Sequence, residues 1–498
     1  MTKHTPAATT ATARQDLIRL AREAMRAHHL ETTFSDAALQ QLSRIHAAAD
    51  SAGAAEAPLR DLRALPWCSI DNDDSRDLDQ LTVLEPLDGD ASVRLYVAIA
   101  DVDALVPQGS PLDLQARANS ATVYTSACIF PMLPERLSTD LTSLNPGVDR
   151  LALVTQMDFS AAGQLLASVI YRARVHNHAQ LAYDAVALWL TGEGPLPAAA
   201  QAVPAMEFQL RAQDTLAQTL RTRRHAQGSL EFETFAPRAV FEGDRVVAIV
   251  QQVQNRARQL IEEIMVAANG CTARFLAQQG HGALRRVVRA PERWQRIVDF
   301  ASQFGCVLPA RPDARALEGF LAERHAADPL HFPDISLVIV KLMGSGVYQV
   351  AAPGDATVGH FGLAVRDYTH STAPNRRYPD LVTARLLKAA LAGAPAPYSV
   401  AELGALAAHC TRQEDAIRKV ERSLRKSEAA LLLQSQIGGI FDGVITGNSV
   451  DGLWVRLFTP PVEGRLHAAR ARAVGDLVRV RLVSTDFERG YIDFQLID

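Results

Sequence analysis

Apolar residues first recur at helical spacing between residues 17 and 28, where Leu17, Ile18, Ala21, Ala24 and Met25 share one face. A second short helix is predicted from Ser35, whose hydroxyl can cap it by accepting from the first turn. The period then changes. LYVAIADV (95–102) and RLALVTQMDF (150–159) read as strands, the first so continuously apolar that both of its faces must be covered. NRARQLIEEIMVAANGCTARFLAQQ (255–279) reads as a long helix with Gly280 placed to end it. Ser399 and Glu402 form a capping-box pattern that opens another helix, running through RKVERSLRKSE (418–428). In the last 60 or so residues the runs become short and β-rich: IFDGVITGN, LWVRLF, DLVRVRLVSTD and YIDFQLI, broken by Gly, Asn and Pro. That spacing predicts a small five-stranded closed barrel of OB type. The reading is therefore α+β in three regions: a helical unit at 1–58, a mixed body at 59–436 and a barrel at 437–498.

Composition narrows the class. Of 498 residues, 48% are hydrophobic and 21% charged, which suits folded domains with ample core. No apolar run approaches the roughly 20 residues that span a bilayer, and the first residues lack a signal-peptide centre, so a cytoplasmic protein is expected. Five scattered cysteines without a CxxC pair argue against zinc and fit free thiols. Residues 1–14, rich in Ala and Thr, are expected to be disordered, and 47–57 to be a linker. A net charge of −4 does not announce a nucleic-acid binder, so local charge must decide. Lys and Arg gather at 221–225, 284–289 and 418–426, and the barrel adds Arg465, Arg470 and Arg472. Phe441, Trp454 and Phe458 are candidate stacking residues there, or core.

The strongest chemical signal is SIDNDDSRDLDQL (69–81), with Asp71, Asp73, Asp74, Asp77 and Asp79 relieved only by Arg76. So many carboxylates repel one another unless water solvates them or a cation neutralises them. In an extended segment Asp77 and Asp79 share one face, and the preceding loop can return Asp71 beside them. Hard oxygen donors with open positions suit Mg²⁺. A calcium-binding EF-hand is excluded: Arg76 stands where that loop needs Gly, and Thr82 where it needs Glu.

SIDNDDSRDLDQ resembles the aspartate signature of the ribonuclease II (RNB) family. Four further segments resemble that family in the same order: YVAIADVDALVPQGSPLD (96–113), FPMLPERLSTDLTSLNP (130–146), NRARQLIEEIMVAAN (255–269) and GHFGLAVRDYTHSTAPNRRYPDLV (359–382). The C-terminal barrel resembles the S1-type RNA-binding domain of those enzymes, so the resemblance covers roughly residues 60–498. It implies a mixed sheet surrounded by helices and processive 3′-to-5′ hydrolysis of single-stranded RNA to nucleoside 5′-monophosphates. It also implies a monomer using Mg²⁺, or Mn²⁺.

The resemblance assigns roles residue by residue. Asp71, Asp77 and Asp79 match aspartates that hold metal and position water. Gln80 stands where the usual fourth aspartate would be; its amide oxygen can still ligate, with one negative charge fewer. Arg376, in PNRRYPD, matches the arginine on the scissile phosphate, and Arg377 lies beside it, serving the RNA backbone or Tyr378 packing. Tyr124 matches an aromatic that packs the terminal bases, with Phe232 as its opposite. Tyr183 and Glu262 match readers of the ribose 2′-hydroxyl, with Glu263 as alternate for Glu262; the bland role for Glu262 is a helix pair with Arg258. Bacterial relatives usually carry two cold-shock barrels where about 60 helical residues stand here. A more open approach and tolerance of duplexes with a 3′ overhang are expected, and the helical unit is either helix-turn-helix-like or a lid. Gln80 also motivates an alternative, an RNA-binding regulator on a weakened scaffold.

Overall fold

In the computed structural model, residues 12–47, 58–89, 92–233, 237–251, 254–329, 331–355, 358–449, 452–467 and 476–497 are described. The expected disordered start (but for 12–14), the linker from 48 on, Arg470 and Arg472 lie outside them.

The body is built on a seven-stranded mixed sheet. Its spatial order is Leu59–Asp61, Leu165–His176, Asp149–Phe159, Val93–Ala100, Gln80–Pro86, Cys68–Asp71 and Ala179–Ala182. The two outermost pairings are parallel and the inner ones antiparallel. Val93–Ala100 shows why its run is apolar without a break. Tyr96, Ala98 and Ala100 enter one core cluster, while Leu95, Val97 and Ile99 enter another on the opposite face. One layer holds the helices Pro111–Asn119 and Tyr378–Leu391; the other holds Tyr183–Thr191, Met206–Ala226 and Arg256–Gln278. The predicted helix at 255–279 is Arg256–Gln278, capped by the Asn255 side chain and followed by Gly280 at φ +69°.

The helix Val400–Leu433 opens with the expected Ser399/Glu402 capping box and acts as a spine. Leu403, Leu406 and Cys410 pack on the body, Ile417, Val420 and Leu424 on the N-terminal helix, and Ala429, Ala430 and Leu433 on the barrel. The barrel is closed, in the order Ile440–Ser449, Gly452–Leu457, Glu463–His467, Tyr491–Ile497, Leu477–Asp486. Its short third strand, EGRLH, carries the weakest apolar signal of the five. A largely buried ion pair, Arg456 with Asp334 at 2.6 Å, ties it to the helix Phe332–Met343.

The N-terminal helix Ala13–Ala27 docks on the body. Leu17, Ala21 and Met25 are fully buried against Val123, Phe130 and the spine, and Asp36–Ser43 adds Ala38 to the main core.

Candidate active site

The acidic motif lies at one end of the sheet. Asp71 ends the strand Cys68–Asp71, and Asp79 immediately precedes Gln80–Pro86. Both are buried, and the loop between them leaves Asp77 half-buried. The Asp79 carboxylate is closed off from solvent. Its Oδ1 accepts from the backbone N–H of Asn375 at 2.9 Å, and its Oδ2 lies 3.1 Å from Arg376 Nε without a hydrogen bond. Burial pushes Asp79 up to about 7, against the pull of Arg376 and the Asn375 N–H, while Asp77 and Asp380 push the same way as burial. Asp71 is raised as well, by burial first and by Asp77, with Arg376 opposing.

Arg376 reaches Asp79 because the turn before the helix Tyr378–Leu391 is held tightly. Asp380, in the first turn of that helix, accepts from the Ala373 N–H at 2.9 Å and from Arg377 Nη2 at 2.7 Å. The carbonyl of Arg376 accepts from the Thr122 N–H at 3.0 Å, and Tyr378 donates its N–H to Ser120 at 2.8 Å. The hairpin Val123–Tyr124/Ile129–Phe130 is thereby fixed against the arginine turn. Tyr124, 40% exposed, donates its hydroxyl to Asp77 Oδ2 at 3.0 Å. Two expected base- and phosphate-binding groups thus meet the aspartates directly.

Tyr183 also belongs here. It opens the helix after the strand Ala179–Ala182, whose Ala182 pairs with Asp71, and the Arg258 guanidinium sits 4.5 Å from its ring. Arg258 also donates to Asn72 Oδ1 at 2.8 Å, so the helix pair expected with Glu262 gives way to the acidic loop. Glu262 keeps 47% of its side chain exposed and accepts from Gln254 at 3.0 Å. Glu263 is buried and occupied by two bonds from Arg224, which removes it as the alternate reader. Phe232 packs at the edge of a cluster formed by Leu230, Trp294 and Phe332, and it does not line the cavity that Tyr124 shares with Arg376. Gln80 pairs with Ile99, so strand alternation turns it to the face of Thr82 and Leu84, opposite Asp79.

Two expectations about basic residues change. Arg285 and Arg286 lie on the strand Ala283–Val287 and are buried, Arg286 on Glu414, so these two are scaffold, and of the 284–289 cluster only Arg289 is exposed. Arg224 and Arg221 are held by Glu263 and Glu231. In the barrel Phe441 packs partly into the core, Lys426 lies over Trp454 at 5.8 Å, and Phe458 is 36% exposed. Asn375 and Asp380, which set the arginine turn, were missed in the sequence because one acts through its backbone and the other through a helix start.

The donor set suits a hard divalent cation in kind: all oxygen, with a buried Asp79 Oδ2 that has no hydrogen bond among the described residues and two carboxylates raised by burial. Among the described residues no three Asp, Glu, His or Cys side chains already converge on one metal position. Also among the described residues, no helix is long and apolar enough to cross a membrane.

Comparison with known proteins supplies the context. The family model for the RNB domain matches residues 59–393, and that for the RNase II-type exonuclease C-terminal S1 domain matches 440–497. Ribonuclease R of Escherichia coli (strain K12) is 32% identical over 513 aligned residues, covering 95% of this chain and 61% of that protein. Ribonuclease R of Aquifex aeolicus is 31% identical, over 88% of this chain and 65% of its own. The chain thus spans less than two thirds of these relatives. Apo Mycoplasma genitalium RNase R superposes with a TM-score of 0.87 at 24% identity, covering 97% of this chain and 78% of that one. Yeast Ssd1, a pseudonuclease, has the same fold at a TM-score of 0.73 and 16% identity, over 95% of this chain and 59% of its own.

Proposed function

This chain belongs to the RNB family, and from that premise we propose that it is a hydrolytic 3′-to-5′ exoribonuclease. It threads single-stranded RNA to the aspartate site and releases nucleoside 5′-monophosphates, as a cytoplasmic monomer. The observation that carries this reading is the meeting of Arg376 with Asp79 and of Tyr124 with Asp77 at one end of the sheet.

Each group has a physical task. Arg376, 38% exposed beside a closed-off Asp79, offers its guanidinium to a scissile phosphate and to the charge that develops on it. Tyr124 gives a terminal base a ring to stack on, a contact indifferent to base identity. Tyr183 and Glu262 present a phenol and a carboxylate to a ribose 2′-hydroxyl, which is both donor and acceptor. Asp71, Asp77 and Asp79 would hold Mg²⁺, or Mn²⁺, with Gln80 a fourth donor only if its side chain turns around the strand end. When bound, the ion would activate water and neutralise phosphate charge. A duplex with a 3′ overhang falls within the proposed substrate range; one structure of similar fold is Mycoplasma genitalium RNase R in complex with double-stranded RNA.

A second reading, an RNA-binding regulator, is favoured by Gln80 and by the fold shared with a pseudonuclease. A denaturing-gel time course on 5′-labelled RNA with Mg²⁺, with DNA and EDTA controls, separates the two. Conversion to a very short labelled product, with both controls unchanged, supports the exonuclease. Retained RNA binding without cleavage under Mg²⁺ or Mn²⁺ supports the regulator.

A further inference from the structure

Beside Arg376 and Tyr124, and lined by both, lies a cavity of about 340 Å³. We propose that it receives the detached nucleoside 5′-monophosphate before release, an inference that rests on the hydrolytic reading. In that reaction the oxygen of water bonds to phosphorus and the P–O3′ bond breaks. The shortened strand leaves with a 3′-hydroxyl, and the last nucleotide carries the new phosphate monoester. At neutral pH that monoester bears about −1.5 to −2 charge, where the diester bore one. A site that separates product from strand should therefore offer additional cationic donors.

The cavity does so. Arg376 and Arg377 both line it, and Arg377 Nε is buried with no hydrogen-bond partner among the described residues. Its volume lies in the range of small-molecule sites, about 300–1,000 Å³. Part of the lining is aromatic and braced. Tyr348 Oη lies 2.8 Å from His370 Nδ1, and the two rings meet edge to face at 5.6 Å. The Arg286 guanidinium rests 4.9 Å from the Tyr348 ring. Arg286 and Arg418 both bond the Glu414 carboxylate, which offsets its repulsion of a phosphate and leaves its oxygens able to accept from sugar hydroxyls. Phosphate at the arginines and base against Tyr348 is a pose that accepts any of the four bases, as a processive enzyme requires.

The test titrates the full chain carrying Asp79→Asn with cytidine 5′-monophosphate by calorimetry, and measures inhibition of the parent's RNA hydrolysis by the same compound. Saturable binding is expected, weakened at least fivefold by Tyr348→Leu and restored by Tyr348→Phe, which keeps the ring. Tyr348→Leu should raise the inhibition constant by the same factor, and Tyr348→Phe should return it to the parent's. Equal binding in Tyr348→Leu, or none in Asp79→Asn and no inhibition of an active parent, overturns the pocket and leaves the hydrolase standing. Tyr348-dependent binding in a chain that never shortens labelled RNA overturns the hydrolase reading and retains a nucleotide pocket.

Discussion

The two ends of one structural unit, the arginine turn and the helix Tyr378–Leu391, treat charge in opposite ways. Along the helix, Arg385 spends its guanidinium on Asp103 at 2.7 Å, Asp113 at 2.7 Å, Tyr398 at 2.8 Å and the Val106 carbonyl at 2.6 Å. Lys388 bridges Asp101 and Asp103, and Arg172 reaches Asp101 from the sheet. In the turn just before the helix, Arg376 stays partly exposed, and Asp79 keeps a buried oxygen without a hydrogen bond. Both regions pair arginine with aspartate. One pairing is saturated and scaffolds the sheet against the helix; the other is deliberately short of partners. Unsatisfied buried charge costs stability, and at Asp79 it lies beside a partly exposed arginine, which marks that turn as the candidate place for a ligand.

That contrast can be broken in order of expected effect. Asp79→Asn should lower hydrolysis by at least about 10³-fold while leaving RNA affinity and the melting midpoint close to the parent's, because it removes a charge that burial opposes. Unchanged activity, read on the labelled-RNA gel, would overturn the site assignment. Arg385→Met should do the reverse: about 3–5 kcal/mol of stability lost in urea denaturation, since buried Asp113 is left without its cation and Asp103 keeps only Lys388, with the activity of the remaining folded protein retained. Arg376→Lys keeps the charge and loses the planar fork, and should cost about 10²-fold in kcat with little change in stability.

A buried carboxylate outside both clusters sharpens the comparison. Among the described residues Glu428, on the spine, accepts only from Ser126 at 3.1 Å and keeps its other oxygen without a partner. Burial pushes it up to about 7, with the Ser126 hydrogen bond opposing. The folded state therefore holds a proton that the unfolded chain has lost. Its stabilising contribution is present below pH 4.5 and disappears as pH rises through 7. Thermal melts of the parent should weaken across that window, by something on the order of 3 kcal/mol at most. Glu428→Gln should flatten the slope and melt higher at pH 8; parallel curves for the two proteins would count against this account.

The sequence by itself determined the elements and the chemistry. Helical spacing located Ala13–Ala27 and Arg256–Gln278, the capping box located the start of the spine, and short β-rich runs between turn residues located the barrel, because these signals are local. The aspartate run was legible from its residue types, which state what they can bind, whereas the PNRRYPD segment was legible only through its resemblance to the family. Tertiary structure alone decided how those strings meet. The Asn375 N–H on Asp79, the Asp380 clamp, the Tyr124 hydroxyl on Asp77 and the diversion of Arg258 to Asn72 each join residues through the packing of separate elements. It also decided which arginines are free. Arg285 and Arg376 look alike in sequence, but a strand buries the first in the core, and a turn at a helix start leaves the second at the aspartates. Burial is a property of the neighbours a residue acquires on folding, and those neighbours come from across the chain.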